Sequence, residues 1–224
     1  MRMDGFFNLI KREMRICLKN SFVMISFSSF FLISILIFVF AFGSGSIDGD
    51  KLYKPIVWVL LIFSLMLISE NFTNNDYADG SLKEMQFLGY SEEVIILSKG
   101  IAMWFMIMLP TFFLIPISSI LFNVTFTNSV ILFLNICLAC PSLILISLVS
   151  SLFSIQLKNN KIIQFIIIFP FYMPIIIFTT STTNNDIDGY IFDDNNFLIL
   201  IGIFFITLPI SLLTSKLIMK EINR

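Results

Sequence analysis

The chain contains no histidine. That removes the commonest metal ligand and the commonest general base. A zinc centre of the usual kind, or a serine activated by an imidazole, has nothing to be built from. Charge is scarce as well: Asp, Glu, Lys and Arg make up 13% of the 224 residues, about half the share in an ordinary soluble domain. With a net charge of −1 there is no basic footprint for nucleic acid. Cysteine occurs three times. Cys17 lies in a basic N-terminal segment and reads as reduced and structural. Cys137 and Cys140 form a C-x-x-C within ICLACPS, but the surrounding run is apolar, whereas a thioredoxin-type motif needs a soluble strand–helix setting. The pair reads as small apolar residues of a membrane helix.

What is present is apolar side chain. Hydrophobic residues make up 57% of the chain, 27 of them phenylalanine, and the mean hydropathy is +0.94. This places the chain among membrane proteins before any motif is considered. The first apolar run, Phe22–Phe42, carries no charge; it is of spanning length, not the shorter core of a cleavable signal. A second run, about 53–71, reaches an interface at Tyr53 and Trp58, and Pro55 suits a first helical turn, where its missing N–H costs nothing. From Ile101 to Leu157 there is no charged residue. That is too long for one span and right for two, about 101–122 and 129–155, joined through NVTFTN at 123–128. A fifth span is expected over about 162–183 and a sixth over 197–217.

Orientation follows from Lys and Arg in short flanking segments. Twelve of the fourteen basic residues fall on one side of this scheme: Arg2, Lys11, Arg12, Arg15 and Lys19, then Lys83 and Lys99, Lys158 and Lys161, and Lys216, Lys220 and Arg224. Only Lys51 and Lys54 lie opposite. Both termini are therefore expected in the cytoplasm, and the acidic segment NNDIDGYIFDDNN, 184–196, in the other compartment. Within residues 1–20, Met3, Phe6, Phe7, Ile10, Met14, Cys17 and Leu18 recur at helical spacing with the basic residues largely between them. This predicts an amphipathic helix lying on the membrane surface, the alternative being a basic flank with no discrete helix.

The densest polar stretch is DYADGSLKEMQFLGYSEE, 76–93, on the cytoplasmic side. Asp79 and Gly80 make a turn. Ser81-Leu82-Lys83-Glu84 fits a capping box, with Ser81 as N-cap and Glu84 reaching back. Leu82, Met85 and Leu88 would then share a face, and Gly89 suits a left-handed residue after the helix end. A second helix is expected to start at Ser91, with Glu92 and Glu93 complementing its dipole, and to run through Lys99 into the third span. A two-turn helix does not stand alone. It is either a docking element for another protein or a solvated connector with incidental caps.

The expected spans hold almost no ionisable groups of the kind proton-coupled transporters use. Catalysis by this chain is not expected, and energy for any transport should come from elsewhere, such as an ATPase subunit. Six of the seven prolines, all but Pro55, fall inside spans beyond the first turn. Pro170 and Pro174, one turn apart in FPFYMPIIIF, predict a bent or broken fifth helix, although proline is also ordinary in membrane helices.

Six spans in about 220 residues, the basic segment LIKREMRICLKN, D-x-x-D-G-S-L between spans two and three, CPSL at 140–143 and FPFYMPIIIF at 169–178 together resemble the CcmB family. These are membrane subunits of the cytochrome c maturation ABC transporter, often called the haem exporter. The resemblance runs along nearly the whole chain, and 76–82 and 169–178 are its specific parts. Two positions depart from the family pattern: Lys83 stands where Glu follows D-G-S-L, and FLGYSEE lacks the family's prolines.

The resemblance implies an all-α integral membrane protein of ABC-2-type exporter permease architecture, residues 1–224 forming one transmembrane domain. Its parts would be six transmembrane helices, an N-terminal interfacial helix and a short cytoplasmic coupling helix. It implies that Asp76, Asp79, Gly80, Ser81, Leu82, Glu84 and Met85 couple the chain to an ABC ATP-binding subunit, Leu82 and Met85 sitting in a cleft on that ATPase. The implied partners are that subunit, a second copy of the chain, other cytochrome c maturation membrane proteins and a haem chaperone, with no nucleic acid. ATP would be bound by the partner. Haem would be cargo of the complex, not a cofactor held here; the usual axial histidine is missing, with Met and Tyr as remaining ligand types. Competing readings are a permease for a lipid, drug or polysaccharide, and a non-transporting scaffold. The abundance of Ile, Phe, Asn and Lys suggests an AT-rich genome; a bacterial inner membrane is favoured over a mitochondrial one.

Overall fold

A computed structural model describes residues 3–19, 21–42, 49–157, 161–181 and 194–222. Among these residues there are eight helices and no strand: α1 (Met3–Lys19), α2 (Ser21–Phe42), α3 (Gly49–Ala78), α4 (Ser81–Phe87), α5 (Glu92–Leu121), α6 (Phe126–Gln156), α7 (Lys161–Ser181) and α8 (Asp194–Ile222). Five of them, α2, α3, α5, α6 and α8, are long and apolar enough to cross a membrane. The remaining apolar helix, α7, contributes the shorter stretch Gln164–Thr180. The chain is an all-α integral membrane protein. Arg2, Lys158, Arg224 and positions 184–193 of the acidic segment lie outside the described residues.

Lipid is as apolar as leucine, so helices in it associate through close packing and interhelical hydrogen bonds. The bundle is arranged around α6, which packs against α3, α5, α7 and α8, while α1 and α2 cover α5. Buried polar side chains knit these helices because an unsatisfied polar group in hydrocarbon costs several kcal/mol, on the order of 2–7. The Tyr53 hydroxyl donates to the Ile115 carbonyl (3.1 Å) and joins α3 to α5. Thr73 and Ser151 share a hydroxyl hydrogen bond of 2.5 Å between α3 and α6. Ser150 donates to the Gln164 carbonyl (3.0 Å), and the Gln164 amide donates to Ser69 Oγ (3.2 Å), so α6, α7 and α3 meet at one polar node. The Tyr172 hydroxyl donates to the Leu143 carbonyl (2.9 Å). By contrast, most of the apolar surface of α2 and α8 faces outward, where acyl chains are the solvent.

Two expectations are corrected here. The second apolar helix does not stop near residue 71 but continues to Ala78, so Asp76 belongs to its last turns and not to a loop. And α7 is not broken at Pro170 and Pro174: one helix runs from Lys161 to Ser181 with both prolines inside it. Both rings sit on its exposed face, where neither displaces a neighbouring helix and neighbouring turns can absorb the missing N–H groups.

Candidate functional site

The polar stretch folds as a tight reversal. At the end of α3, Asp79 N–H donates to the Asn75 carbonyl (2.9 Å) and Gly80 N–H to the Tyr77 carbonyl (3.2 Å). Gly80 has φ of 73°, a left-handed conformation that glycine adopts without the Cβ penalty. It occupies the N-cap position of α4. The expected capping box is therefore absent: with Gly80 as N-cap, Ser81 becomes the first helical residue and Glu84 falls one position out of register. The Ser81 hydroxyl instead donates back to the Asp76 carbonyl (3.3 Å). At the other end Gly89 has φ of 85°. Its N–H donates to Gln86 O (2.9 Å) and Tyr90 N–H to Met85 O (3.2 Å), the paired bonds of a Schellman ending. Ser91 holds the N-cap position of α5 through its carbonyl, which accepts from Val94 and Ile95 (3.0 and 3.1 Å), and its side chain makes no capping bond. The helix then runs through Lys99 to Leu121 as one element.

Leu82 and Met85 do not face outward. Both are buried in a cluster with Leu9 of α1, Ile95 of α5, Leu152 of α6 and Ile218 of α8. They anchor α4 to its own bundle and are not free to enter a cleft on a partner. Leu88 does not continue their stripe, because the helix ends at Phe87. The surface that α4 presents is Phe87 (92% exposed) and Leu88 (73%), beside exposed Lys83 and Glu84.

Beneath α4 lies a buried ion cluster. Lys99 of α5 is fully buried. Its Nζ donates to Asp76 Oδ2 of α3 and to Glu13 Oε2 of α1 (3.3 Å). The other Glu13 oxygen, Oε1, accepts from Arg12 Nη1 (2.6 Å), and Arg12 Nη1 also lies 3.4 Å from Met85 Sδ. Lys99 Nζ stands 5.2 Å from the centroid of the Phe72 ring. Two cations and two anions thus neutralise one another, and buried charges survive only on such terms. The cluster ties α1, α3 and α5 together, and α4 hangs from it through Asp76 O and Met85. Cys17, on the same face of α1, has its thiol pushed up to about 12 by burial and then by Glu13. A half-exposed pair, Lys216 Nζ to Glu93 Oε1 (2.8 Å), links α8 to the start of α5.

Of the residues singled out from sequence, Asp76 belongs to this cluster, Ser81 and Met85 touch it, and Leu82 lies in the apolar cluster with Met85. Asp79 and Gly80 form the turn, Glu84 is on the surface, and Pro170 and Pro174 belong to α7 and take no part. Glu13 and Lys99 were missed as a pair. The available signal was an acid at 13 interrupting the apolar stripe Phe6–Ile10–Cys17, and a lysine inside the apolar run VIILSKGIAMW.

A bundle of helices of membrane-spanning length, carrying a short helix outside the spans and held by a buried ion cluster, defines a polytopic membrane domain. The chain belongs to the CcmB protein family, whose match covers residues 4–218. It is 26% identical over 176 residues to heme exporter protein B of Haemophilus influenzae, covering 79% of this chain and 80% of that one. Heme exporter protein B of Escherichia coli K12 is 25% identical over 191 residues, 83% and 87% of the two chains. An uncharacterized protein of Rickettsia conorii is 30% identical over 223 residues, 98% of each chain.

Proposed function

We propose that this chain is the permease subunit of an ABC transporter complex for cytochrome c biogenesis. It couples ATP hydrolysis in a partner ATP-binding subunit to haem delivery, or to release of a haem-loaded periplasmic chaperone. Membership of the CcmB family over nearly the full length, with relatives named heme exporter protein B, carries this reading. In this reading catalysis belongs to the partner ATPase and not to this chain. Two copies would pair with two ATPase subunits in a bacterial inner membrane, with six spans, α7 among them, and both termini in the cytoplasm.

In this reading α4 is the coupling helix. Its contact surface is Phe87 and Leu88, flanked by Lys83, Glu84 and Asp79. Leu82 and Met85 serve by fixing α4 to the bundle, and Asp76–Lys99–Glu13 passes its displacement to α3, α5 and α1 together. An exposed aromatic at the tip of a short, rigidly mounted helix suits a hot-spot anchor in a partner's pocket. The test is co-purification in mild detergent. Phe87→Asp should insert normally yet recover less than about a tenth of the wild-type ATPase subunit, as expected for losing a hot spot of about 2 kcal/mol or more. Undiminished recovery sinks the assignment of α4. Failure of a deletion strain to lose c-type cytochromes sinks the broader reading.

A further inference from the structure

We infer that a trench bounded by α1, α2, α5 and α6 binds one acyl chain of an anionic phospholipid, whose headgroup is held by the basic face of α1. This site is separate from the coupling reading and does not depend on it.

The trench has a volume of about 360 Å³ and an almost wholly apolar lining. On α5 it extends from Ala102 to Phe112, about 15 Å at 1.5 Å per residue. That is half of a hydrocarbon core about 30 Å thick, the depth of one leaflet. Its two ends differ. The deep end is closed by the edge-on pair Phe112 and Phe133 of α6, ring centroids 5.7 Å apart. The floor at mid-depth is Cys137 against Met108, sulfur to sulfur 3.4 Å. The mouth is formed by the C-terminal half of α1, where Leu18 lines the trench while remaining 62% exposed. Phe105, Leu109 and Phe112 are also about half exposed, so the trench opens sideways into lipid and a chain enters without passing through protein.

Charge selects the headgroup. Lys11, Arg15 and Lys19 are all exposed, and their spacing of four puts them on one face of α1 with Leu18. Of the two acids on α1, Asp4 lies in its first turn, about three turns before Arg15, and Glu13 is buried against Lys99 and Arg12. The mouth, at the C-terminal half of α1, therefore presents positive charge with no exposed acid of that half beside it, at the level where phosphates of that leaflet lie. A zwitterionic lipid offers the same chain but no net negative charge. Four methionines line the trench, and such unbranched side chains adapt to a chain of variable kinks.

The two tryptophans make this measurable. Trp58 is fully buried in the core, and Trp104 lines the trench. In a Trp58→Phe variant reconstituted in phosphatidylcholine vesicles, Trp104 fluorescence reports bromine-labelled acyl chains. Brominated phosphatidylglycerol should half-quench Trp104 at a several-fold lower mole fraction than brominated phosphatidylcholine, since each basic residue near an anionic surface is worth roughly five-fold. Arg15→Gln with Lys19→Gln should erase most of that difference, and Cys137→Phe, which fills the floor, should reduce quenching by both lipids. Identical curves for the two lipids, or a preference indifferent to the charge changes, overturn the proposal. If Trp58→Phe does not fold, the difference in quenching between the native chain and Trp104→Phe gives the same readout.

Discussion

Lys99 stands between carboxylates from two other helices with no access to water. Removing one partner of a buried pair leaves uncompensated charge, which typically costs about 3–5 kcal/mol. Lys99→Gln should therefore lower the free energy of unfolding in detergent by about that much, read as a fall in the unfolding midpoint. Adding Asp76→Asn should recover a large part of the loss, because Arg12–Glu13 is then a complete pair and no buried acid is orphaned. Equal midpoints for the single and double variants would show that Lys99 and Asp76 do not interact. Pairing of this kind is hard to read from a sequence. Lys99 counts there as one more positive flank, and Glu13 lies 86 positions away; only the docking of α1 along α5 makes them neighbours.

At the scale of elements, the polar stretch divides into what local rules decide and what they do not. The left-handed Gly89 was legible, because an αL residue after a helix end is a local demand that only glycine meets cheaply. Gly89→Ala should cost about 1–2 kcal/mol of stability and loosen α4, seen as faster amide exchange over 81–88 with exchange in α6 unchanged; uniform protection across both would argue against it. The capping box at Ser81 and Glu84 was not legible as absent. Its register depends on where α3 stops, and α3 runs to Ala78, with Asp76 in its last turns paired to Lys99. The same physics redirected Leu82 and Met85. Their spacing announces an apolar face, but spacing is silent on whether that face meets a partner or the chain's own α5, α6 and α8. At Pro170 and Pro174 a break is ruled out, since α7 stays helical through both, with their rings on its exposed face.

For the whole molecule, the distribution of basic residues predicts cytoplasmic termini and an opposite-side location for 184–196. Phe192→Cys should be labelled by a membrane-impermeant maleimide from the periplasmic face. Background is subtracted with the native chain: Cys17 and Cys140 are buried, and Cys137, half-buried, lies in an apolar trench that an impermeant reagent does not enter. Labelling solely from the cytoplasm reverses the orientation and moves α4 away from any ATPase. The fold class itself follows from composition: with 57% hydrophobic residues and so few charges, the chain can satisfy its backbone in lipid only as helices or a closed barrel, and runs of spanning length choose helices.

The sequence by itself determined that this is a helical membrane protein, where its long helices fall, and where the chain must turn at glycine. These are properties of single segments and of their transfer between water and lipid, so they are written in composition and period. Only the tertiary structure decided which polar residues are solvated and which are paired, that Glu13, Asp76 and Lys99 form one buried cluster, and that the outward face of α4 is Phe87 and Leu88. Those outcomes depend on which helix lies against which, and in lipid, where every helix face is apolar, the pattern of hydrophobicity no longer says which side meets protein.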